Sequence, residues 1–438
     1  MKKKVIVIGG GLAGVEAAYQ VSKRGIEVDL YEMRPKIMTE AHTTGFLGEM
    51  VCSNSLGSCS ISSSSGLLKK ELEMLGSFFL KIAEKNRVPA GNSFAVDRMK
   101  LAEQITYEFK SMPNVNLINE EIEELPEKDI PVIIATGPLT SRKFAKSLTK
   151  ATMRKNLFFF DATSPIISAE SIDYTKVFYA SRYNKGEADF INIPLNEDQY
   201  NDLVCDLINA EKVEIKDFEN NIFFEACLPV EEIAQRGEKS LAFGPMKPVG
   251  LIDPQTNKMP YAVIQLRQDD INKNFYQLIG FQTRLKWGEQ KRIFRKFPGL
   301  ENAKFERYGR MHRNTYINAP LLIDRFYQSK VSKNIFFAGQ ISGVEGYVES
   351  INSGLIAGIF ASKKILNKPL YNLPEQTATG SLVKYISQAS WKDFKPTKFT
   401  FGLLPDIKVK TINKKTKKEL KAKIAIESLD KWIKKADI

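Results

Sequence analysis

Three glycines at Gly9, Gly11 and Gly14 satisfy the spacing G-x-G-x-x-G, directly after the β-branched run Val5 to Ile8 and directly before a helical pattern. That context gives the spacing its meaning: a strand, a tight turn and a helix that together bind a dinucleotide. Gly9 permits the turn, Gly11 lets the backbone approach a pyrophosphate, and Gly14 lets helix and strand pack closely. Gly10, Leu12 and Ala13 complete the turn, whose helix N-terminus offers free N–H groups and partial positive charge to phosphate. Glu32 follows 18 residues after Gly14, at the end of the next strand pattern. A carboxylate there accepts hydrogen bonds from an adenosine ribose and disfavours a 2′-phosphate.

This motif does not separate FAD from NAD. The segment IFFAGQISGVEGYVESINSGLIAGIFA decides between them. A strand ending at Ala338-Gly339, then a turn through Gly346 into a helix, resembles the second flavin-contacting segment of glutathione-reductase-like flavoproteins. It implies FAD contacts at Gly339 and Gly346. The expected fold is α/β: a glutathione-reductase-like, FAD-binding Rossmann domain with an inserted smaller α/β domain.

Four cysteines, Cys52, Cys59, Cys205 and Cys227, form no C-x-x-C pair, and His42 and His312 are the only histidines. No zinc or other metal site is expected. Cys52 lies in a polar loop and Cys227 in FFEACLPVEE. On their own, each reads more readily as an inert small hydrophobe than as a nucleophile. His312, in MHRNTY, alone reads as a satisfied structural histidine.

Periodicity supplies the elements that must position these groups. Lys4 to Ile8, Ile26 to Tyr31, Pro131 to Ala135 and Asn334 to Ala338 read as strands. Leu12 to Lys23, Leu67 to Asn86 and Gly343 to Ala361 read as helices. The Ser-, Gly- and Thr-rich stretch from Ala41 to Gly66 reads as a loop that either disorders or closes over a site. The composition changes between about Asn184 and Ala319, which suggests an insertion. The division is then residues 1–183 and 320–404 for the FAD-binding domain, 184–319 for the insertion, and 405–438 for a basic tail. From Pro405 onward the chain carries eleven lysines against five acids, including a helix-forming run expected to lie on the surface.

The 438 residues suffice for two cores. A net charge of +13 favours polyanionic partners such as nucleic acid or polyglutamylated folate. No window is apolar enough to span a bilayer and the N-terminal apolar run is too short for a signal peptide, so a cytosolic protein without membrane attachment is expected.

The strings YEMRP, VCSNSL, AVDR, FGPMKPVGL, YAVIQLRQD, LKWGEQKR, RYGRMHRNTYI and GVEGYVES, running from Met1 to about Pro405, are similar to those of TrmFO, the folate- and FAD-dependent RNA uracil-5-methyltransferases. The resemblance implies methylenetetrahydrofolate as carbon donor, FAD as reductant and proposed methylene carrier, and NADH or NADPH to regenerate it. It also implies Cys227 as the nucleophile adding to uracil carbon 6, Cys52 as the base removing the carbon 5 proton, and His312 stacking on the pterin. Gly57, Asn92, Ser93 and Arg284 depart from the family's usual residues and leave those strings intact. The expected target is the T-loop uridine of tRNA, with a uridine of large-subunit (23S) ribosomal RNA as the paralogous alternative. The rival enzymatic reading is an NAD(P)H-dependent flavin oxidoreductase without an RNA substrate. Such an enzyme ordinarily wants a close redox pair, and Cys52 and Cys59 are too far apart in sequence to supply it.

Overall fold

The computed structural model describes residues 3–126, 129–153, 157–184, 187–214, 228–407 and 413–438. The strand Lys4–Ile8, helix Leu12–Ser22 and strand Glu27–Tyr31 form the expected unit. The strands pair in parallel with Ile8 opposite Tyr31, so the glycine turn and Glu32 emerge at the same sheet edge. Val132–Ile134 pairs on the other side of the first strand, Ile335–Phe337 pairs outside it, and Val115–Ile118 closes the far edge of a five-stranded parallel sheet. Ligands of such sheets bind beyond the carboxyl ends of the strands, here next to Gly9, Glu32, Ala135 and Ala338.

The helix Tyr347–Ile365 packs on the dinucleotide helix at backbone range. A Cβ added to Gly354 would fall 2.1 Å from the Ala13 carbonyl oxygen, and one added to Gly358 would fall 2.7 Å from that of Ala17. Small residues four apart on one helix face give this approach, as the ridge geometry of helices requires.

A second core is built on a six-stranded antiparallel sheet whose strands run from Ile166–Ser168 to Phe305–Arg307. Tyr200, Leu203 and Leu207 of one helix and Ile293 and Phe294 of another pack against it. A two-stranded antiparallel ribbon, Leu157–Ala162 with Met311–Tyr316, stands apart from both large sheets. The α/β class with an inserted second body, expected from the sequence, is the class the structure has.

Three local expectations change. The helix read over Leu67 to Asn86 is two helices, Ser64–Met74 and Phe78–Lys85. Gly76 takes φ +73° and Ser77 caps the second helix through its hydroxyl, accepting from the Leu80 N–H. A glycine in the left-handed region followed by a serine cap ends one helix and starts another, whatever the apolar periodicity across the break. The return helix begins at Tyr347 rather than Gly343, because Gly343 and Gly346 both hold positive φ. The basic helix Lys414–Ala436 is not merely a surface element: Ala422, Ala425, Leu429 and Trp432 are buried in the first core. Lys421 is buried with them and donates to the carbonyls of Phe401 and Leu404. Among the described residues no helix is long and apolar enough to cross a membrane.

Candidate active site

A cavity of about 640 Å³ opens at the carboxyl edge of the parallel sheet. Gly9, Gly11, Leu12, Ala13 and Glu32 line one part of it, and Gly339 and the segment Glu345 to Ser350 another. Gly9 has φ +102°, and a Cβ there would sit 2.5 Å from the Ala135 carbonyl oxygen; one on Gly14 would sit 1.7 Å from that of Gly9. Gly11 is the opposite case, for a Cβ there would meet nothing within 4 Å. Gly9 and Gly14 are therefore required by the protein's own packing, whereas Gly11 leaves room at the first turn of the helix. Those first N–H groups lack intrahelical partners. Glycine backbone, free helix N–H groups and a buried carboxylate give this lining the chemistry to hold a dinucleotide bearing a fused ring.

Glu32 is buried, and both its oxygens are used: one accepts from the Gly10 N–H at 2.8 Å, the other from the Arg34 N–H at 3.0 Å and Nε at 2.9 Å. Burial alone would raise this carboxyl, but the Arg34 bond and charge outweigh it and hold it below the usual range. Arg34, itself buried, reaches on to Glu49 at 3.1 Å, and Glu49 accepts from Thr43 and Thr44. Arg34 and Glu49 were not singled out in the sequence; the only available signal was that two carboxylates flank an arginine around this turn.

Cys52 lines the same cavity, half-buried, with Sγ 3.5 Å from the Ala162 carbonyl oxygen. Its loop is fixed from several sides. The Tyr347 hydroxyl accepts from the Cys52 and Ser53 N–H groups, and Gln277 donates to the Cys52 carbonyl at 2.8 Å. Arg267 donates to Asn54 Oδ1, Ser53 Oγ and Gln277 Oε1, each at 2.7 Å. The stretch Ala41 to Gly66 thus closes over a site rather than disordering. Of the other thiols, Cys59 and Cys205 are exposed. Cys227 lies outside the described residues. The described chain resumes at Leu228, and the Val230 N–H donates to the carbonyl of Gln282, which lines the cavity.

His312 is buried in the cavity wall, opposite Asp161 in the ribbon register. Burial pushes its imidazole below the ordinary value, partly opposed by the charge of Asp161, so the ring is neutral at physiological pH. Its Nδ1 has no hydrogen-bond partner. Glu345, between Gly339 and Gly346, is also buried; burial first and then Asp161 push its carboxyl up to about 8, against the pull of Lys398. At neutral pH this cavity therefore holds a protonated carboxyl and a neutral imidazole, two groups suited to moving protons.

Of the positions where the chain departs from the TrmFO pattern, Gly57 has φ +76°, and a Cβ there would meet Ser65 Oγ at 2.6 Å. Arg284 donates to Glu232 Oε1 through Nε and Nη2 at 3.0 and 2.6 Å. Among the described residues no group of three or more His, Cys, Asp or Glu is placed to hold a metal ion.

A family model described as glucose inhibited division protein A matches residues 4–369. Among curated relatives, the methylenetetrahydrofolate–tRNA-(uracil-5-)-methyltransferase TrmFO of Natranaerobius thermophilus is 49% identical over 430 residues, covering 98% of this chain and 99% of its own. The protein of the same name from Bacillus subtilis is 50% identical over 428 residues, covering 98% of each. Among solved structures, Aquifex aeolicus GidA in its form II crystal superposes with a TM-score of 0.67 at 15% identity, covering 99% of this chain and 76% of that one, a likeness of fold. With near-complete coverage at half identity, the chain belongs to the TrmFO family, within the wider glucose inhibited division protein A family.

Proposed function

We propose that this protein is a folate- and FAD-dependent methyltransferase that forms 5-methyluridine in tRNA, with methylenetetrahydrofolate as the carbon donor. The observation that carries the reading is the sharing of one cavity by the glycine turn, the loop of Cys52, and His312. Relatives of half-identical sequence bear this activity in their names. Reduced FAD supplies the electrons that turn the transferred one-carbon unit into a methyl group, and NADH or NADPH restores it.

The chain's own residues then do the following. Gly9, Gly11, Gly14 and the helix behind them would hold the pyrophosphate of FAD, Glu32 its adenosine end, and Gly339 and Gly346 its flavin end. His312, neutral and flat, offers its face to the pterin. Cys227 adds to carbon 6 of the uracil, and the electrons of the carbon 5–carbon 6 double bond move to make carbon 5 a nucleophile. After carbon 5 takes the one-carbon unit, Cys52 removes its proton, and loss of Cys227 restores the double bond. The net charge of +13 favours binding of the polyanionic substrate, and the reaction belongs in the cytoplasm.

The test is transfer of label from methylenetetrahydrofolate to RNA. Transcribed tRNA and a large-subunit ribosomal RNA fragment are incubated side by side with protein, FAD and NADH or NADPH. Label in the tRNA uridine supports the reading. Label in the ribosomal fragment alone redirects the target, and nicotinamide oxidation without label in either RNA sinks it in favour of a flavin oxidoreductase.

A further inference from the structure

Trp287 opens the helix Trp287–Phe294 and stands 53% exposed at the end of a stack of rings. Phe305 and Tyr308 stack with centroids 4.9 Å apart, and Tyr308 and Trp287 follow at 5.6 Å with planes 14° apart. Phe305 packs on the second core, Tyr308 is half-buried, and Trp287 belongs to neither core. The Arg310 guanidinium lies over the indole, 5.3 Å from its centroid, and Arg310 too is exposed. Lys291, four residues along the helix and so on the same side as Trp287, is exposed as well. Lys286 is paired with Glu211, and Arg292 with Asp206 and Glu289, whereas Arg310 and Lys291 have no carboxylate partner among the described residues.

This platform is fixed beside the cavity. Gln290, on the Trp287 helix, donates to the Gly309 carbonyl at 2.9 Å and accepts from the Gly309 N–H at 2.8 Å, which ties the helix to the turn bearing Tyr308 and Arg310. Arg310 accepts from the Thr163 N–H and donates to Thr163 Oγ1. The next residue, Met311, pairs with Ala162, whose carbonyl oxygen lies 3.5 Å from Cys52 Sγ, and His312 after it lines the cavity. Two residues of strand span about 7 Å, so the backbone of Arg310 stands that close to the cavity wall.

A single exposed aromatic residue needs no explanation. Trp287 differs in being held in a stack, with a planar cation over it and a second cation on the same side. That combination suits an unpaired nucleic-acid base: every base has a face to stack, the guanidinium adds cation–π attraction, and the ammonium meets the phosphate. A base inside a duplex has its faces covered by its neighbours, whereas a loop base can be splayed out onto such a surface.

We infer that Trp287 and the Arg310 guanidinium over it stack an unpaired RNA base close in sequence to the uridine held in the cavity. The inference rests on the proposed function, which brings an RNA loop to this mouth. Trp287 does not line the cavity; it is a positioning residue that fixes the loop while the uridine enters.

The FAD-loaded protein is titrated, by fluorescence anisotropy, with a labelled stem-loop RNA of the tRNA T arm. Further versions each lack one loop base other than the target, leaving an abasic sugar. Trp287→Ala is expected to weaken binding of the intact stem-loop by about 5- to 150-fold, the range for loss of one base stack. Removing one particular loop base should weaken wild-type binding by a similar factor and cost Trp287→Ala nothing further, as a direct contact requires. Trp287→Leu keeps apolar bulk against Tyr308 without an aromatic face, so it should behave like Trp287→Ala and decides the matter if the alanine variant does not fold. Salt dependence separates the cations: Arg310→Ala and Lys291→Ala should each flatten the slope of log affinity against log salt by about 0.7, whereas Trp287→Leu should lower affinity at an unchanged slope.

Unchanged affinity in Trp287→Leu overturns this inference while the proposed function stands. So does a loss that adds to that of every abasic position, since the stack would then serve the protein's own fold rather than one base. A wild type that does not bind the stem-loop overturns both.

Discussion

The phenol oxygen of Tyr347 accepts two backbone hydrogen bonds, from Cys52 at 2.6 Å and Ser53 at 3.1 Å, tying the first residue of the return helix to the thiol loop. Burial and the neighbouring Cys52 push its phenol above the ordinary value, so the oxygen remains a neutral acceptor. Tyr347→Phe keeps the ring and leaves two N–H groups unanswered. We expect a loss of about 1–3 kcal/mol in stability, and faster alkylation of Cys52 as its loop loosens, with flavin still bound. Mass-spectrometric mapping of alkylated peptides against time checks this, and an unchanged Cys52 rate would show that the loop is held without the tyrosine.

Gly11→Val tests the nucleotide turn. Because a Cβ at Gly11 meets nothing within 4 Å, the fold accepts valine, but the new methyl groups occupy the space kept for pyrophosphate. The variant should melt at nearly the wild-type temperature and purify without colour. Full flavin occupancy would displace the cofactor from this turn.

The two thiols are separable with RNA containing 5-fluorouracil, whose fluorine cannot leave as a cation. Wild type should trap a covalent protein–RNA adduct. Cys227→Ala should lose both adduct and methyl transfer, whereas Cys52→Ala should bind RNA, keep FAD and stall. NAD(P)H should still reduce the flavin in both. Undiminished methylation by Cys227→Ala would remove the thiol from the mechanism.

Glu345 gives a pH signature. Its carboxyl is raised from 4.5 to about 8 in the folded protein, so the folded state binds a proton that the unfolded state has released. That contribution is complete below about pH 4.5 and is lost as pH rises through about 8. Relative to Glu345→Gln, which mimics the protonated form, the wild-type apoprotein should grow steadily less stable across this window, with the difference levelling off above it. Melting temperatures of the pair from pH 5 to 9 measure it, and parallel curves would mean that Glu345 ionises normally.

The legible part of the site was the local part. Gly9, Gly11, Gly14 and Glu32 belong to one strand–turn–helix–strand unit, where residue type and spacing determine geometry without help from distant chain. Cys52 and His312 were nameable through family resemblance, but not their surroundings. Tyr347 reaches Cys52 across 295 residues, and Arg267 reaches Asn54 across 213, contacts that no periodicity announces. The break at Gly76 could have been read, because a Gly-Ser pair carries its own stop and start signals.

The contact of Gly354 and Gly358 with Ala13 and Ala17 has a consequence for the order of biogenesis. A nascent chain leaving the ribosome presents its nucleotide turn first, yet the helix that clamps the turn, and the strand Ile335–Phe337 that completes that side of the sheet, are translated only after the inserted sheet. The inserted sheet, which builds a core of its own, can fold in the interval. The N-terminal strands must wait with an open edge, exposed to mispairing until the chain's return.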